Sequence, residues 1–219
     1  MSDAEQIRSN IAKVRSRMAD ACARSGRDPG SVRLLLATKT IEPERIRVAI
    51  EAGEKLVAEN RVQEVRPKIE ALRALDYERH FIGHLQSNKV NALVPYVSCL
   101  QTLDRLSLAR KLQNRLDREG EQLEVLIQVN TSGEETKAGL EPEEVEPFIR
   151  TISSFDALKI RGLMTIGLNA DPETARPSLA RLREIAGQIR QQNLDGVQME
   201  ELSMGMTGDL EVAIDEGST

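Results

Sequence analysis

The chain has 219 residues, 30 Lys plus Arg against 35 Asp plus Glu, and a formal net charge of −5. That balance argues against a dedicated nucleic-acid binder, whose footprint is a basic patch, and no apolar run approaches the roughly 18 residues of a membrane span. Two Cys and two His exclude a disulfide framework and leave little room for a His-rich metal site.

The first ten residues carry no apolar signal segment, so the cytoplasm is the expected location. Residues 2–25 read as a helix whose buried stripe is Ile7, Ile11, Val14, Met18 and Cys22. Ser2 and Glu5 make a capping box at its start, and Gly26 suits its end. After the Asp28-Pro29-Gly30 turn, residues 32–38 form a short, nearly all-apolar run that predicts a strand buried on both faces. Helix 43–52 opens on Pro43 and stops at Gly53. Strand 55–59, helix 63–75, strand 80–83, a short helix near 86–92 and strand 97–102 follow. Asp104 is the expected cap of a helix striped by Leu108, Leu112 and Leu116 and ended by Gly120.

Strand 123–129 precedes a helix opened by Pro142 and carrying Val145, Phe148, Ile149 and Ile152. Strand 158–166 leads to a helix with Leu179, Leu182, Ile185 and Ile189. Strand 198–202 reads as weaker because Glu200 and Glu201 interrupt it. The last helix, 207–216, has Thr207 as its expected cap and Gly217 as its stop. No linker or composition shift divides the chain, so residues 1–219 read as one domain. Seven strand–helix units after a first helix imply an α/β fold with a parallel sheet, either doubly wound or a barrel lacking its last strand. With three Phe, two Tyr and no Trp, the core must be aliphatic.

In both architectures ligands bind beyond the carboxyl ends of the strands. The residues there are Lys39 and Thr40, Asn60 and Arg61, His84, Thr102 and Asp104, Asn130 and Thr131, Thr165 and Gly167, and 203–207. Lys39 stands out because it follows a continuous apolar strand. A partly desolvated lysine holds its neutral form more readily and is nucleophilic enough for a Schiff base. The plainer reading is a strand-end ammonium reaching water. Ser203-Met204-Gly205-Met206-Thr207-Gly208 is a small-residue turn before a helix, a place where free N–H groups favour an anion such as phosphate. The plainer reading there is a capped turn with no ligand. A lysine and a phosphate site on one rim together point to a phosphorylated aldehyde held as an imine, for which pyridoxal 5'-phosphate (PLP) is the candidate.

Other patterns fail. Residues 83–90 look like a P-loop but have Asn88 for the glycine and Val90 for the magnesium-binding hydroxyl. His80 and His84 have no third partner, so no zinc or other metal site is expected. Cys22 and Cys99 read as small buried hydrophobes, and Tyr77 and Tyr96 as packing residues.

Six segments then resemble the pyridoxal phosphate homeostasis family, single-domain relatives of the alanine racemase barrel domain. They are 34–40 around Lys39, 59–64 around Asn60, 80–89 around His84, 126–130 with 137–139, 161–166, and 202–206. The resemblance implies a (β/α)8 TIM-like barrel with an extra N-terminal helix. It implies PLP carried on Lys39 as a Schiff base, with Asn60, His84, Ser203, Met204, Gly205 and Thr207 lining the cofactor. Thr207 stands where the family has a phosphate-contacting serine. The implied work is intracellular PLP homeostasis, with PLP-requiring apo-enzymes as recipients and the protein a monomer or weak dimer. A vigorous catalytic reaction is not implied. Family chains continue beyond residue 219 into an eighth strand whose arginine faces the pyridine nitrogen, so a barrel short of that strand is expected. The alternative is a PLP-dependent amino-acid racemase. Racemisation needs acid–base groups on both faces, and in alanine racemases the second is a tyrosine from a further domain.

Overall fold

The computed structural model describes residues 1–134, 136–168 and 170–219. Helix α1 (Asp3–Ser25) forms as its sequence predicts. The Ser2 hydroxyl accepts from the Glu5 N–H, the Glu5 carboxylate accepts from the Ser2 N–H, and Gly26 closes the helix at φ +66°. Met18, Ala21 and Cys22 are its buried face.

Seven strands follow: β1 (Leu35–Ala37), β2 (Leu56–Glu59), β3 (Glu78–Phe81), β4 (Cys99–Leu103), β5 (Leu123–Gln128), β6 (Leu158–Met164) and β7 (Val197–Ser203). Between and after them lie α2 (Pro43–Glu51), α3 (Val62–Leu72), α4 (Val90–Leu93), α5 (Leu106–Asp117), α6 (Val145–Ile152), α7 (Pro172–Gln191) and α8 (Leu210–Asp215). The strands are all parallel and stand in sequence order from β1 to β7. A doubly wound sheet reverses its order at a switch point, so this order settles the choice for the barrel-type wall. The wall curls: Ser203 of β7 hydrogen-bonds Gln101 of β4 across the interior. Thr219 sits between the two edge strands, its N–H on the Leu202 carbonyl at 3.1 Å and its carbonyl taking the Arg33 N–H at 2.7 Å.

The main core lies between the outer face of β3–β7 and the helices. Leu100, Leu103, Leu108, Leu112, Ile127, Leu163 and Leu182 are fully buried in it. A second, smaller cluster of Cys99, Leu126 and Met164 sits apart from it; strand register and the alternation of side chains put these three on the inner face. Among the described residues no helix is long and apolar enough to cross a membrane.

The structure corrects several expectations. β1 is not buried on both faces: Leu35 and Leu36 are half-buried and Ala37 is exposed. Its one ladder partner is β2, so β1 is an edge strand with its other side unpaired. β7 is not weak. It runs seven residues, and Glu201 is reached by Arg33 at 3.2 Å and Arg161 at 3.8 Å, while burial pushes its carboxyl up. Asp104 is not a helix cap. Arg105 holds that position, and Asp104 instead accepts a 2.7 Å hydrogen bond from its guanidinium. Thr207 is not a cap either: α8 begins at Leu210 behind Asp209, and Thr207 lies exposed in the preceding turn.

Candidate functional site

All seven residues expected to line a cofactor stand at the carboxyl end of the wall. Lys39 follows β1 by two residues. Strand alternation puts Leu35, Ala37 and Lys39 on the same inner side, with Ala37 already open to solvent. Lys39 is exposed and makes no ion pair among the described residues, so the plainer part of the sequence reading, a strand-end amine reaching water, is the one observed. The next residue, Thr40, is held at φ +62°. A β-branched residue there is strained, and such strain collects at functional turns.

What holds that turn is a half-buried charge cluster around the buried Glu59. Lys68 Nζ on α3 lies 2.8 Å from the Thr38 carbonyl, 2.8 Å from Glu59 Oε1 and 3.0 Å from Glu64 Oε2. Glu59 Oε1 also accepts the Thr38 hydroxyl at 2.5 Å, and Glu64 Oε2 accepts the Thr40 N–H at 3.1 Å. That N–H, with Lys68 second, holds the Glu64 carboxyl below its ordinary range. Lys39 is therefore carried on a turn tied at both ends. Sequence reading missed Lys68 and Glu64. Their four-residue spacing on α3 was the available signal, but it reads equally as a surface pair.

Asn60, at the end of β2, is half-buried, and its Oδ1 is buried without a hydrogen-bond partner. Gly83 at the end of β3 packs against it. A Cβ on Gly83 would stand 2.0 Å from the Asn60 carbonyl, so only glycine lets these two backbones meet. His84 is exposed, with Nδ1 3.9 Å from Asp104 Oδ2. Thr102 donates to the Gly83 carbonyl at 2.7 Å and Thr165 to the Val129 carbonyl at 2.9 Å, so the strand ends are laced together.

In the turn after β7, Met204 is buried and Gly205 takes φ +92° with its backbone close against α8, where a Cβ would lie 2.4 Å from Ala213 Cβ. The Met206 N–H is taken by Asp209 Oδ1 at 2.5 Å. The amides of Gly205, Thr207 and Gly208 have no hydrogen-bond partner among the described residues. Three free N–H groups suit an anion. A lone buried acceptor on Asn60 suits a ligand donor, and the exposed Lys39 amine suits an aldehyde. The donor set thus fits PLP.

A family model described as the alanine racemase N-terminal domain matches residues 2–216. The pyridoxal phosphate homeostasis protein of Aquifex aeolicus is 43% identical over 210 residues, 95% of this chain and 91% of that protein. That of Pseudomonas aeruginosa is 37% identical over 214 residues, 97% and 90% respectively. Among solved structures, PipY of Synechococcus elongatus with PLP bound superposes with a TM-score of 0.85 at 31% identity, covering 97% of this chain and 95% of that one. An alanine racemase of Clostridium difficile shares the fold at a TM-score of 0.74 and 11% identity, covering 94% of this chain and 50% of that one.

Proposed function

The chain belongs to the family of the alanine racemase N-terminal domain, and on that premise we propose that it binds PLP on Lys39 and serves PLP homeostasis. The observation that carries the reading is the exposed Lys39, on a strained and clamped turn, sharing one rim with the unpaired Asn60 acceptor and the free amides of the 205–208 turn. PLP supplies an aldehyde carbon and an electron-withdrawing ring. Lys39 gives its proton to solvent, forms the C=N bond through Nζ and releases one water. Gly205, Thr207 and Gly208 present N–H groups to the phosphate, joined by the Thr207 hydroxyl. Asn60 Oδ1 accepts from a ligand donor. Ser203 and Met204 shape the inner side of the turn, and His84 closes the rim beside Asp104.

Two further observations support a carrier over a racemase. Tyr77 packs with Ile46, Ile50 and Leu72 in an outer cluster, and Tyr96 packs against the main core. Neither phenol is directed to the rim as a second base. The same proposal takes residues 1–219 as one domain, a monomer or weak dimer in the cytoplasm, handing PLP to apo-enzymes that require it. Borohydride reduction followed by mass measurement tests it. The native chain gains one pyridoxyl group and the Lys39→Ala chain gains none; an adduct retained in Lys39→Ala overturns the assignment. Rapid Lys39-dependent deuterium exchange at an amino-acid α-carbon would make the protein a racemase instead.

A further inference from the structure

Inside the wall, three side chains from three strands form one hydrogen-bonded line. Ser203 of β7 donates its hydroxyl to Gln101 Oε1 of β4 at 2.6 Å. The Gln101 amide nitrogen lies 2.8 Å from His80 Nδ1 on β3. Gln101 is 2% exposed and His80 3%, so the bond between them is shut away from water, while Ser203 is half-buried. His80 Nε2 is buried without a hydrogen-bond partner. It faces a Glu78 carboxylate oxygen at 3.6 Å, and that carboxylate is paired with Arg33 at 3.0 Å.

The line has a direction. An amide NH₂ only donates, so Nδ1 accepts and the neutral ring carries its proton on Nε2. That is the nitrogen on which the Glu78 carboxylate favours a proton. With Gln101 turned over, the ring would donate through Nδ1 and aim the bare Nε2 lone pair at a carboxylate. Burial draws the imidazole down to about 4, so the ring is neutral near neutral pH.

We infer that His80 and Gln101 are positioning residues for Ser203. They hold its hydroxyl proton turned into the barrel, so Ser203 meets a ligand as a hydrogen-bond acceptor and selects an N–H or O–H group on it. The inference rests on reading this rim as the PLP site. A phosphate-ester dianion carries only acceptors and is left to the amides of the 205–208 turn. PLP offers one donor of the right kind, its ring hydroxyl.

PLP affinity and imidazole nitrogen-15 spectra test this together; the chain has two histidines, which keeps assignment simple. Ser203→Ala and Gln101→Met each weaken PLP binding roughly fivefold to tenfold, the loss of about one hydrogen bond. The double variant binds no worse than Ser203→Ala alone, because Gln101 acts through Ser203. Losses that multiply overturn the inference. Methyl phosphate, a dianion without a donor at about pH 8, binds native and Ser203→Ala protein equally; a weaker Ser203→Ala complex overturns it. In the native spectrum His80 Nδ1 is the unprotonated nitrogen, and PLP shifts it in native protein but not in Ser203→Ala. A protonated Nδ1 overturns the inference. Native protein that gains no PLP absorbance overturns the functional reading instead. The line is then judged in the free protein, where Ser203→Ala must still move the His80 Nδ1 resonance.

Discussion

Every residue of β4 is buried and β5 has a single half-buried position, whereas β1 has no buried residue at all. The β4–β5 side is sealed by the outer helices and the main core. The β1 side meets α1 and α8 through a small cluster of Met18, Ala21, Cys22, Val32 and Ile214. Lys39 sits on the looser side. Close packing and an accessible amine exclude each other at one place, so the tightly packed side of the wall and the side that carries the exposed Lys39 are different sides.

The largest effect that would test this division is in the core. Leu112→Ala, on the sealed side and 0% exposed, is expected to lower unfolding free energy by about 4 kcal/mol, while Leu35→Ala on β1 lowers it by about 1 kcal/mol. Urea denaturation measures both, and equal losses would break the comparison.

The second effect separates two lysines of the same corner. Lys68→Met leaves the Glu59 carboxylate buried without its cation and is expected to cost about 3 kcal/mol. Lys39→Ala removes an exposed side chain and changes stability by less than about 0.5 kcal/mol, yet it abolishes the reducible PLP adduct. A Lys39→Ala protein as unstable as Lys68→Met would show that Lys39 is structural.

The smallest effect is in pH. His80 titrates near 4 when folded, against an ordinary value of 6.5, because burial disfavours its charged ring. The unfolded chain therefore binds the proton first. The stability due to a neutral His80 is complete above pH 6.5 and is lost progressively as pH falls toward 4. Between pH 6.5 and about 5.5 that loss is about 1 kcal/mol. Stability curves for native and His80→Gln protein should diverge by this amount across that window; parallel curves would remove His80 from the account.

Much of the wall was legible because its signals are local. Ser2 and Glu5 cap α1, Pro43 opens α2, and Gly120 and Gly217 take the positive φ that ends a helix. The rim residues were legible for the same reason, since each follows its own strand. Where two local signals competed, the reading slipped: Thr207 and Asp209 both suit a cap, and only the start of α8 at Leu210 chooses. The clamp of Lys68 on Thr38 joins residues 30 positions apart, and the bond from Ser203 to Gln101 joins residues 102 apart.

The sequence by itself determined the alternation of strands and helices, the place of Lys39 just after the first strand and the polar character of the rim. Hydrophobic period, capping and turn chemistry act over a few residues, and each leaves its mark in the order of the chain. Only the tertiary structure decided that the strands stand in sequence order around a curled wall, that β1 is its exposed edge, and that one lysine reaches solvent while another is half-buried against Glu59. Exposure and hydrogen-bond partners depend on which strands become neighbours, and that is settled by how the wall curls.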